Sequence, residues 1–473
     1  MEFDLVAMGG GFSGLTTAAR AAQLGLKVAV FEQLPDERYL CNSRYSSGVA
    51  NVLGHFIGSP EDQLKTILER ATAGTAKSEL IEAYSHHAGR VYEWLRSEGL
   101  RFVMMFPTSK ERRSAVLAPP RRFKSGLDWD GRGADVSMRR LEQNIIARGG
   151  QVMRGAKVTG LIVEEGVCRG VEATIAGVPQ RCIASTVVIA DGGFMANPDM
   201  IGQHITAHPN KVNIRSAPNV KGDGMLMAEK AGAELSGFGN FYGHLQHRDA
   251  MHNANLWPYP TFDAIAQAGL LVTDKGLRFT DEGRGGVPMT NDVAKLDDPL
   301  SAFVIYDQAM WEGAPGLAGP VAINPSLSEG DGWAYSADAL DALAEKAGIE
   351  SEALLDTVAH YNRAVASDTL ETLNPPRTTR VFKAWPIERR PFHAVPLCAG
   401  ITGTMGGLSI DPNARVLRQD GSAIDGLYAV GTTTGGLEGG PNIAYAGGLS
   451  KAFIWGVLAA EHAAQYVGAR RAA

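Results

Sequence analysis

The glycines at positions 9 to 14 have the types and spacing that suit binding of a dinucleotide pyrophosphate. The segment reads Gly-Gly-Gly-Phe-Ser-Gly. Gly9 permits a tight turn, Gly11 lets a pyrophosphate approach the backbone, and Gly14 lets the following helix lie close to the preceding strand. The N-terminus of that helix offers N–H groups and the positive end of its dipole to phosphates. The chemistry predicted here is recognition of a dinucleotide.

The elements around this turn follow the order that a dinucleotide-binding fold requires. An apolar run at residues 3–8 predicts a strand, an Ala-rich stretch up to Leu24 predicts a helix, and residues 27–31 predict a second strand. Glu32 follows that strand and is placed to accept hydrogen bonds from a ribose. Because 56 of the 473 residues are glycine, a plain structural turn is the alternative. These residues alone leave both NAD and FAD open.

Four later segments extend the pattern. Residues 42–48 form a small polar loop able to hydrogen-bond the ribityl and ring region of a cofactor, and residues 189–194 place a second glycine turn after a predicted strand. Residues 221–224 begin a helix, and residues 426–431 lead through two glycine pairs into a final Ala-rich helix. Together these segments resemble the fumarate reductase and succinate dehydrogenase flavoprotein family, which includes tricarballylate dehydrogenase-like and 3-ketosteroid dehydrogenase-like enzymes.

The resemblance implies an α/β protein with a Rossmann-like FAD-binding domain, residues 1–240 and 386–473, interrupted by an α+β capping domain, residues 241–385. Some relatives attach the flavin through a histidine before the polar loop; this chain has none there, so FAD is expected to be non-covalent. The residues assigned to the cofactor are Gly9, Gly11, Phe12, Ser13, Gly14, Glu32, Gln33, Asn42, Ser43, Ser46, Ser47, Gly48, Val158, Asp191, Gly192, Gly431, Thr432, Gly448 and Leu449. Thr432 departs from the acid that many relatives carry.

The resemblance also implies where a substrate binds. In this family a hydride passes to or from flavin N5 while a protein group moves a proton at the adjacent carbon. His244 and His247, close to Tyr242, occupy a segment that carries a substrate-binding histidine; the alternative is a histidine bonded to backbone between domains. Arg284 is near the position of the proton-donating arginine of fumarate reductases, which falls at residues 285–286, both glycine here.

The dicarboxylate clamps of fumarate reductases are missing from two further segments. Thr402 and Gly403 precede the Thr-Met-Gly-Gly turn where those enzymes carry histidines, and residues 439–448 lack the clamping arginine. A buried carboxylate needs paired cations or strong donors, so a ketone or oxo-acid is the expected substrate. Tyr445 is then a candidate to abstract the α proton, or to bind the carbonyl together with the amides of residues 447 and 448. A core tyrosine packed on the flavin is the alternative.

The expected function is therefore an FAD-dependent dehydrogenase that desaturates a carbon–carbon bond beside a carbonyl. A fumarate reductase-like or tricarballylate dehydrogenase-like enzyme acting on a carboxylic acid is one alternative, and a non-catalytic electron-relay subunit is another. The expected partners are a small-molecule carbonyl or carboxylate substrate and an electron acceptor of unknown identity. Residues 257–260, Trp-Pro-Tyr-Pro, are a candidate aromatic wall of the pocket.

Composition excludes several other classes. The formal charge of −6, from 45 Lys and Arg against 51 Asp and Glu, offers no broad cationic surface for nucleic acid. No apolar run reaches the ~18–20 residues of a membrane span. The four cysteines form no CxxC pair, so no metal site is expected. The chain starts directly with a predicted strand and without a basic leader, so the expected location is the cytoplasm.

Overall fold

The computed structural model describes residues 1–105, 113–120, 129–256, 262–314, 333–378 and 382–472. Its strands are β1 Glu2–Met8, β2 Val28–Glu32, β3 Val49–Val52, β4 His55–Phe56, β5 Phe102–Met105, β6 Ser114–Leu117, β7 Gln151–Arg154, β8 Ala156–Glu164, β9 Val167–Ile175, β10 Val178–Ile189, β11 Asn213–Ile214, β12 Leu235–Ser236, β13 Phe241–His247, β14 Leu270–Val272, β15 Phe303–Asp307, β16 Tyr335–Ala337, β17 Phe392–Thr404, β18 Gly407–Leu408, β19 Arg415–Leu417 and β20 Ala423–Ala429.

The helices complete the element order. They are α1 Phe12–Gln23, α2 Asn42–Tyr45, α3 Glu61–Thr72, α4 Ser78–Ser97, α5 Gly133–Ala147, α6 Pro198–His204, α7 Asp223–Lys230, α8 Asp263–Ala268, α9 Gly286–Ala294, α10 Gln308–Gly313, α11 Leu340–Ala347, α12 Ser351–Ser367 and α13 Gly448–Ala472. Short 3₁₀ turns span Pro209–Lys211, Arg248–Met251, Glu282–Arg284, Leu370–Thr372 and Gly431–Thr433.

The larger sheet has the strand order β19-β20-β10-β1-β2-β7, with β9 and β8 continuing antiparallel from β10. β1 runs parallel to both β10 and β2, β10 runs parallel to β20, and β2 runs parallel to β7. Central parallel strands are covered on both faces, which is why β1 and β2 read as nearly continuous apolar runs. The carboxyl ends of β1, β2 and β10 therefore meet at one edge of the sheet.

The second sheet is organised around β17, the longest strand of the chain that the structure describes. β17 pairs parallel with β11 and antiparallel with β13, β15 and β16, and β14 pairs with β15. Residues 392–404, which the sequence places in the second FAD-binding segment, thus form the central strand of the sheet that also contains much of residues 241–385. The division into domains at 240 and 385 stays a prediction. The spacing of apolar residues at 337–347 and 350–365 predicts two amphipathic helices, which are confirmed as α11 and α12.

The final helix α13 packs against α1 and closes the nucleotide-binding part. Its residues 450–460 are all buried, as is usual for a helix that is apolar around its circumference. The ring of Phe12 in α1 lies 5.1 Å from the ring of Phe453 in an edge-to-face arrangement. Within the described ranges, none of the helices combines the length and apolarity needed to cross a bilayer.

Candidate active site and cofactor cleft

A cleft of about 820 Å³, counting the part open to solvent, lies at the carboxyl ends of β1, β2 and β10. This size suits a bound cofactor. The predicted cofactor residues that line it are Gly9, Gly11, Ser13, Glu32, Gln33, Asn42, Ser43, Val158, Asp191, Gly192 and Thr432. Residues that the sequence analysis did not single out also line it, among them Cys41, Lys157 and Asn219. Lys157 and Asn219 lie close in sequence to residues that were singled out, and this closeness could have indicated that they line the cleft.

The glycine turn at the floor of the cleft leaves no room for side chains. Gly9 has φ +111°, and a Cβ atom there would lie 2.6 Å from the carbonyl oxygen of Ala190. A Cβ atom on Gly14 would lie 2.0 Å from the carbonyl oxygen of Gly9. α1 begins directly after this turn and has no acidic residue in its first turn. Its N-terminus can therefore receive the negative charge of a pyrophosphate.

Glu32 lies at the end of β2 and is buried. Its carboxylate accepts hydrogen bonds from the amides of Gly10 (3.0 Å) and Leu34 (2.9 Å). Burial raises the pKa of Glu32, against the lowering effect of these two amides. Because a carboxylate offers about four acceptor positions, Glu32 retains capacity for the hydroxyls of a ribose while it fixes the turn.

Some of the predicted cofactor residues that do not line the cleft contact residues that do. The amide of Phe12 donates to Ser43 Oγ at 2.9 Å, and Ser46 Oγ donates to the carbonyl of Ser43 at 2.8 Å. A Cβ atom on Gly431 would lie 2.0 Å from Ser13 Oγ. The remaining members of this set are Gly14 within α1, Ser47 and Gly48 in the polar loop, and Gly448 and Leu449 at the start of α13.

Arg44 is a structural residue of the polar loop that the sequence analysis passed over. It is fully buried, its Nε lies 3.1 Å from Asp135 Oδ1, and its guanidinium lies 4.4 Å from the ring centroid of Tyr39. Tyr39 in turn donates to the carbonyl of Gly10 at 2.8 Å. The loop and the glycine turn are therefore held by one buried polar network.

Two side chains on the cleft wall have buried oxygens that accept no hydrogen bond from the described residues. Asp191 Oδ1 and Asn219 Oδ1 make no hydrogen bond to any residue that the structure describes. Buried polar atoms are nearly always paired in folded proteins, so these two indicate a ligand with hydroxyl or amine donors. FAD carries ribose and ribityl hydroxyls that can donate hydrogen bonds, so these two acceptor oxygens fit FAD.

Asp191 also makes a pH-dependent contribution to stability. The amide of Gly224, in the first turn of α7, donates to Asp191 Oδ2 at 2.8 Å. Burial nevertheless raises the pKa of Asp191 to about 7. The folded state therefore holds a proton that the unfolded state releases near pH 4, and the free energy of unfolding falls as pH rises from about 4 to about 7.

We expect Asp191→Asn to remove this dependence, because asparagine can still accept from Gly224 and carries no charge. The variant should gain stability over the wild type as pH rises to 8, by at most about 4 kcal/mol. Urea unfolding at several pH values measures the difference. Asp425→Asn, at an exposed aspartate of β20, is the control. Parallel pH profiles for wild type and Asp191→Asn would contradict the prediction.

A second group of polar residues lies on β13 and the final glycine loop. The rings of Tyr242 and Tyr445 stack with centroids 3.7 Å apart and planes inclined by 10°. Tyr242 Oη lies 2.9 Å from His244 Nε2, and His244 Nδ1 lies 2.6 Å from Asp263 Oδ2. The amide of Leu245 fixes the other oxygen of Asp263 at 2.9 Å. Tyr242, His244 and Asp263 thus form a connected chain, the Tyr–His–Asp chain, that ends at the stacked tyrosines.

Asp263 is the member of this chain that the sequence analysis missed. It is the first residue of α8, and the room that its carboxylate occupies exists because residue 286 is glycine. A Cβ atom on Gly286 would lie 2.0 Å from Asp263 Oδ2. Residues 285–286 are where the resemblance places the proton-donating arginine, so the two glycines were the signal. The Tyr–His–Asp chain fills the space that a side chain at this position would need.

Tyr445 is held by the first residue of α13. The amide of Gly448 donates to Tyr445 Oη at 2.7 Å. This amide is therefore engaged with the tyrosine, which corrects the idea that Tyr445 and the Gly448 amide bind one carbonyl side by side. Burial raises the pKa of Tyr445 well above its usual range, although the Gly448 amide opposes the shift. The phenol is neutral near pH 7 and has its own proton to donate.

Two predicted catalytic candidates, His247 and Arg284, have hydrogen-bond partners outside the Tyr–His–Asp chain. His247 is 4% exposed, its Nε2 lies 2.9 Å from the carbonyl of Trp333, and its Nδ1 accepts from the amide of Asp249 at 3.1 Å. Arg284 contacts Asp292 Oδ2 at 3.3 Å and donates to the carbonyl of Pro441 at 2.9 Å. Both contact sets are those of structural residues. Residues 257–260 lie outside the described residues.

The Tyr–His–Asp chain adjoins the cofactor cleft through the end of β17. Tyr242 pairs with Gly403 in the sheet register. The neighbouring Thr402 accepts a hydrogen bond at its carbonyl from Asn42 Nδ2 at 3.2 Å, and Asn42 lines the cleft. The end of β17 therefore connects Tyr242 with a residue of the cleft lining. Among the described residues, no group of three or more His, Cys, Asp or Glu side chains is placed to hold a metal ion.

Comparison with known proteins identifies relatives of this chain. A family model described as FAD binding domain matches residues 4–447. The NADH:acrylate oxidoreductase of Vibrio harveyi is 30% identical over 401 residues, which cover 82% of this chain and 37% of that protein. The 3-oxosteroid 1-dehydrogenase of Mycobacterium tuberculosis is 29% identical over 351 residues, which cover 66% of this chain and 59% of that protein. This chain spans less than two thirds of the length of either relative.

Solved structures share the fold over the whole chain. The 3-ketosteroid delta1-dehydrogenase from Sterolibacterium denitrificans, in complex with 1,4-androstadiene-3,17-dione, matches with a TM-score of 0.79 and 21% identity. The match covers 98% of this chain and 99% of that one.

Proposed function

The chain belongs to the family of proteins with this FAD binding domain, and from that premise we propose that it is an FAD-dependent oxidoreductase that desaturates a carbon–carbon bond beside a carbonyl. The family match confirms FAD as the cofactor, and the fold match confirms a Rossmann-like nucleotide-binding part joined to a capping part. Non-covalent attachment stays a prediction. FAD, when bound, supplies the hydride acceptor or donor.

Tyr445 is the group we assign to the carbonyl oxygen of the substrate. Its oxygen is occupied by the Gly448 amide, so its own proton is directed elsewhere. A neutral phenol that donates to a carbonyl oxygen stabilises the negative charge that develops there when the α proton leaves. Gly448 thereby acts as a positioning residue, because its amide fixes the direction of the Tyr445 hydroxyl.

We assign to Tyr242 the transfer of the substrate proton. Burial raises its pKa, so at neutral pH it needs a base beside it to act. His244 is in hydrogen-bond reach of Tyr242 Oη, and Asp263 accepts from His244 Nδ1, which leaves His244 Nε2 as the acceptor. This is the arrangement of nucleophile or acid, base and orienting carboxylate found in catalytic triads. In desaturation Tyr242 takes the substrate proton as its own passes to His244; in reduction the transfers reverse.

The observation that carries the proposal is the stack of two tyrosines, one of them bonded to a His–Asp pair, beside a strand end that is hydrogen-bonded to the cleft lining. An electron-relay subunit has no use for such an arrangement. Reduction of an unsaturated acid is the second candidate, supported by the name of the acrylate oxidoreductase relative. Both reactions act on a carbon–carbon bond next to a carbonyl or carboxyl group.

Anaerobic mixing of the oxidised flavoprotein with a panel of compounds tests the proposal. We expect cyclic ketones or oxo-acids to bleach the visible absorbance of the oxidised flavin. Succinate and tricarballylate serve as comparison compounds. If only these di- and tricarboxylates bleach the flavin, or if no compound does and the reduced flavoprotein instead reduces acrylate or fumarate, the desaturase proposal is wrong.

A further inference from the structure

Arg215 is a cation at the same end of the cleft, and it was not among the sequence candidates. It directly follows β11, which pairs parallel with β17 through Asn213 and Ile214. The amide of Arg215 donates to the carbonyl of Ile401 at 2.8 Å, so the backbone at this position is fixed to the end of β17. Arg215 therefore projects from the sheet edge that carries the Thr402–Gly403 pair.

The guanidinium of Arg215 reaches this pair directly. Arg215 Nη1 donates to Thr402 Oγ1 at 2.9 Å. Thr402 is the residue whose carbonyl accepts from Asn42 on the cleft wall, and Gly403 is the register partner of Tyr242. The positive charge of Arg215 is close enough to Tyr242 to favour its phenolate form, and so acts against the burial that raises the Tyr242 pKa. Arg215 is thus linked through Thr402 to the cleft wall, and its charge acts on Tyr242.

The chemistry of this position suits one carboxylate. A guanidinium carries five N–H donors in a fixed planar fork and can serve several acceptors at once, including both oxygens of a carboxylate. Thr402 and Gly403 are small, and they stand where the resemblance places histidines. The Gly403 Cα faces Thr432 of the cleft lining, since a Cβ there would lie 3.8 Å from Thr432 Cγ2.

We propose that Arg215 binds a carboxylate of the substrate, and that the substrate is an oxo-acid with one carboxylate and one carbonyl rather than a neutral ketone or a dicarboxylate. The inference rests on the proposed function, since the carbonyl is the group assigned to Tyr445. Arg215 sets which compounds bind, and Tyr242 and Tyr445 act on the carbon atoms next to the carbonyl.

Three matched compounds test this assignment: 4-oxocyclohexanecarboxylate, its methyl ester and cyclohexanone. In the wild-type holoenzyme the acid should reduce the flavin with a higher kcat/KM than the ester or the unsubstituted ketone. Arg215→Gln should lower kcat/KM for the acid by about 10- to 100-fold, the range for a hydrogen bond to a charged group. The loss for the acid should lie mainly in KM, and the ester should lose clearly less, because it is affected only through the action of the Arg215 charge on Tyr242.

Two further variants and a binding measurement keep the test independent of folding and of turnover. Arg215→Lys keeps the charge without the fork and should recover part of the affinity for the acid. Arg181→Gln, at an exposed arginine of β10, should match the wild type. Calorimetric titration of the acid into oxidised holoenzyme should show binding that Arg215→Gln weakens by a similar factor.

The outcomes separate this inference from the proposed function. Equal losses for acid and ester in Arg215→Gln, no loss for either, or absence of acid binding to the wild type would each overturn the role of Arg215. Failure of all three compounds to reduce the flavin counts against the proposed function, while calorimetry still decides whether Arg215 binds a carboxylate.

Discussion

Replacing Tyr242 with phenylalanine is expected to lower kcat by about 10²- to 10⁴-fold, the usual contribution of a positioned acid or base. The phenylalanine ring can keep the stack on Tyr445, so flavin content and substrate binding should stay close to those of the wild type. The lost function is specific: no hydroxyl remains to pass the substrate proton to His244. Stopped-flow flavin reduction under anaerobic conditions measures the rate directly.

Two companion variants distinguish proton transfer from packing. Asp263→Asn should also slow reduction strongly, because an asparagine amide favours the wrong tautomer of His244. Tyr306→Phe is the matched control, because Tyr306 is a buried tyrosine whose ring also stacks on another ring, that of His393 at 4.9 Å, and it does not line the cleft. If Tyr242→Phe reduces its flavin as fast as Tyr306→Phe, Tyr242 does not move the proton.

The second large effect is expected at the glycine turn. Gly14→Ala places a methyl group 2.0 Å from the carbonyl oxygen of Gly9, and this oxygen belongs to the backbone, which cannot move aside as a flexible side chain can. The helix must move away from β1, which distorts the N–H groups that receive the pyrophosphate. We expect the purified variant to lose most of its FAD and to be destabilised by about 1–3 kcal/mol or more, as for other overpacked sites.

Gly89→Ala provides the contrast for this prediction. Gly89 lies inside α4, and a Cβ atom there meets nothing within 4 Å. Since alanine favours helix over glycine by about 1 kcal/mol, this variant should keep its FAD and gain stability. Flavin absorbance per protein and thermal unfolding report both effects. A yellow Gly14→Ala protein with wild-type stability would contradict the close packing of α1 on β1.

The cofactor end of the molecule could be predicted from the sequence because the residues that form it are close together along the chain. The glycine turn, α1 and Glu32 lie within one βαβ unit, so spacing along the chain reports spacing in the structure. The Gly14 contact with Gly9 follows from that unit alone, whereas the Gly9 contact with Ala190 depends on the pairing of β1 with β10. By contrast, the place of residues 392–404 depends on four strand partners from distant segments, and no local sequence pattern predicts such a strand.

The catalytic end could be predicted only in part, because its residues come from distant segments of the chain. Residue alternation along β13 separates Tyr242 and His244 from His247, but which face meets the cleft is set by the pairing with β17. Asp263 reaches His244 only because Gly286 leaves space for it. Arg215 reaches Thr402 only through the parallel pairing of β11 with a strand nearly 190 residues later. These are tertiary relations, and they decide which of the many polar residues share a site.

Product analysis after a single anaerobic turnover tests the central claim most directly. Oxidised holoenzyme is mixed with the oxo-acid or ketone that bleaches it, and the products are identified by mass spectrometry. The account predicts one product molecule, lighter than the substrate by two hydrogen atoms and unsaturated beside the carbonyl, for each flavin reduced. A bleached flavin with the carbon skeleton unchanged and only an alcohol oxidised, or a flavin that no carbonyl compound reduces, would contradict it.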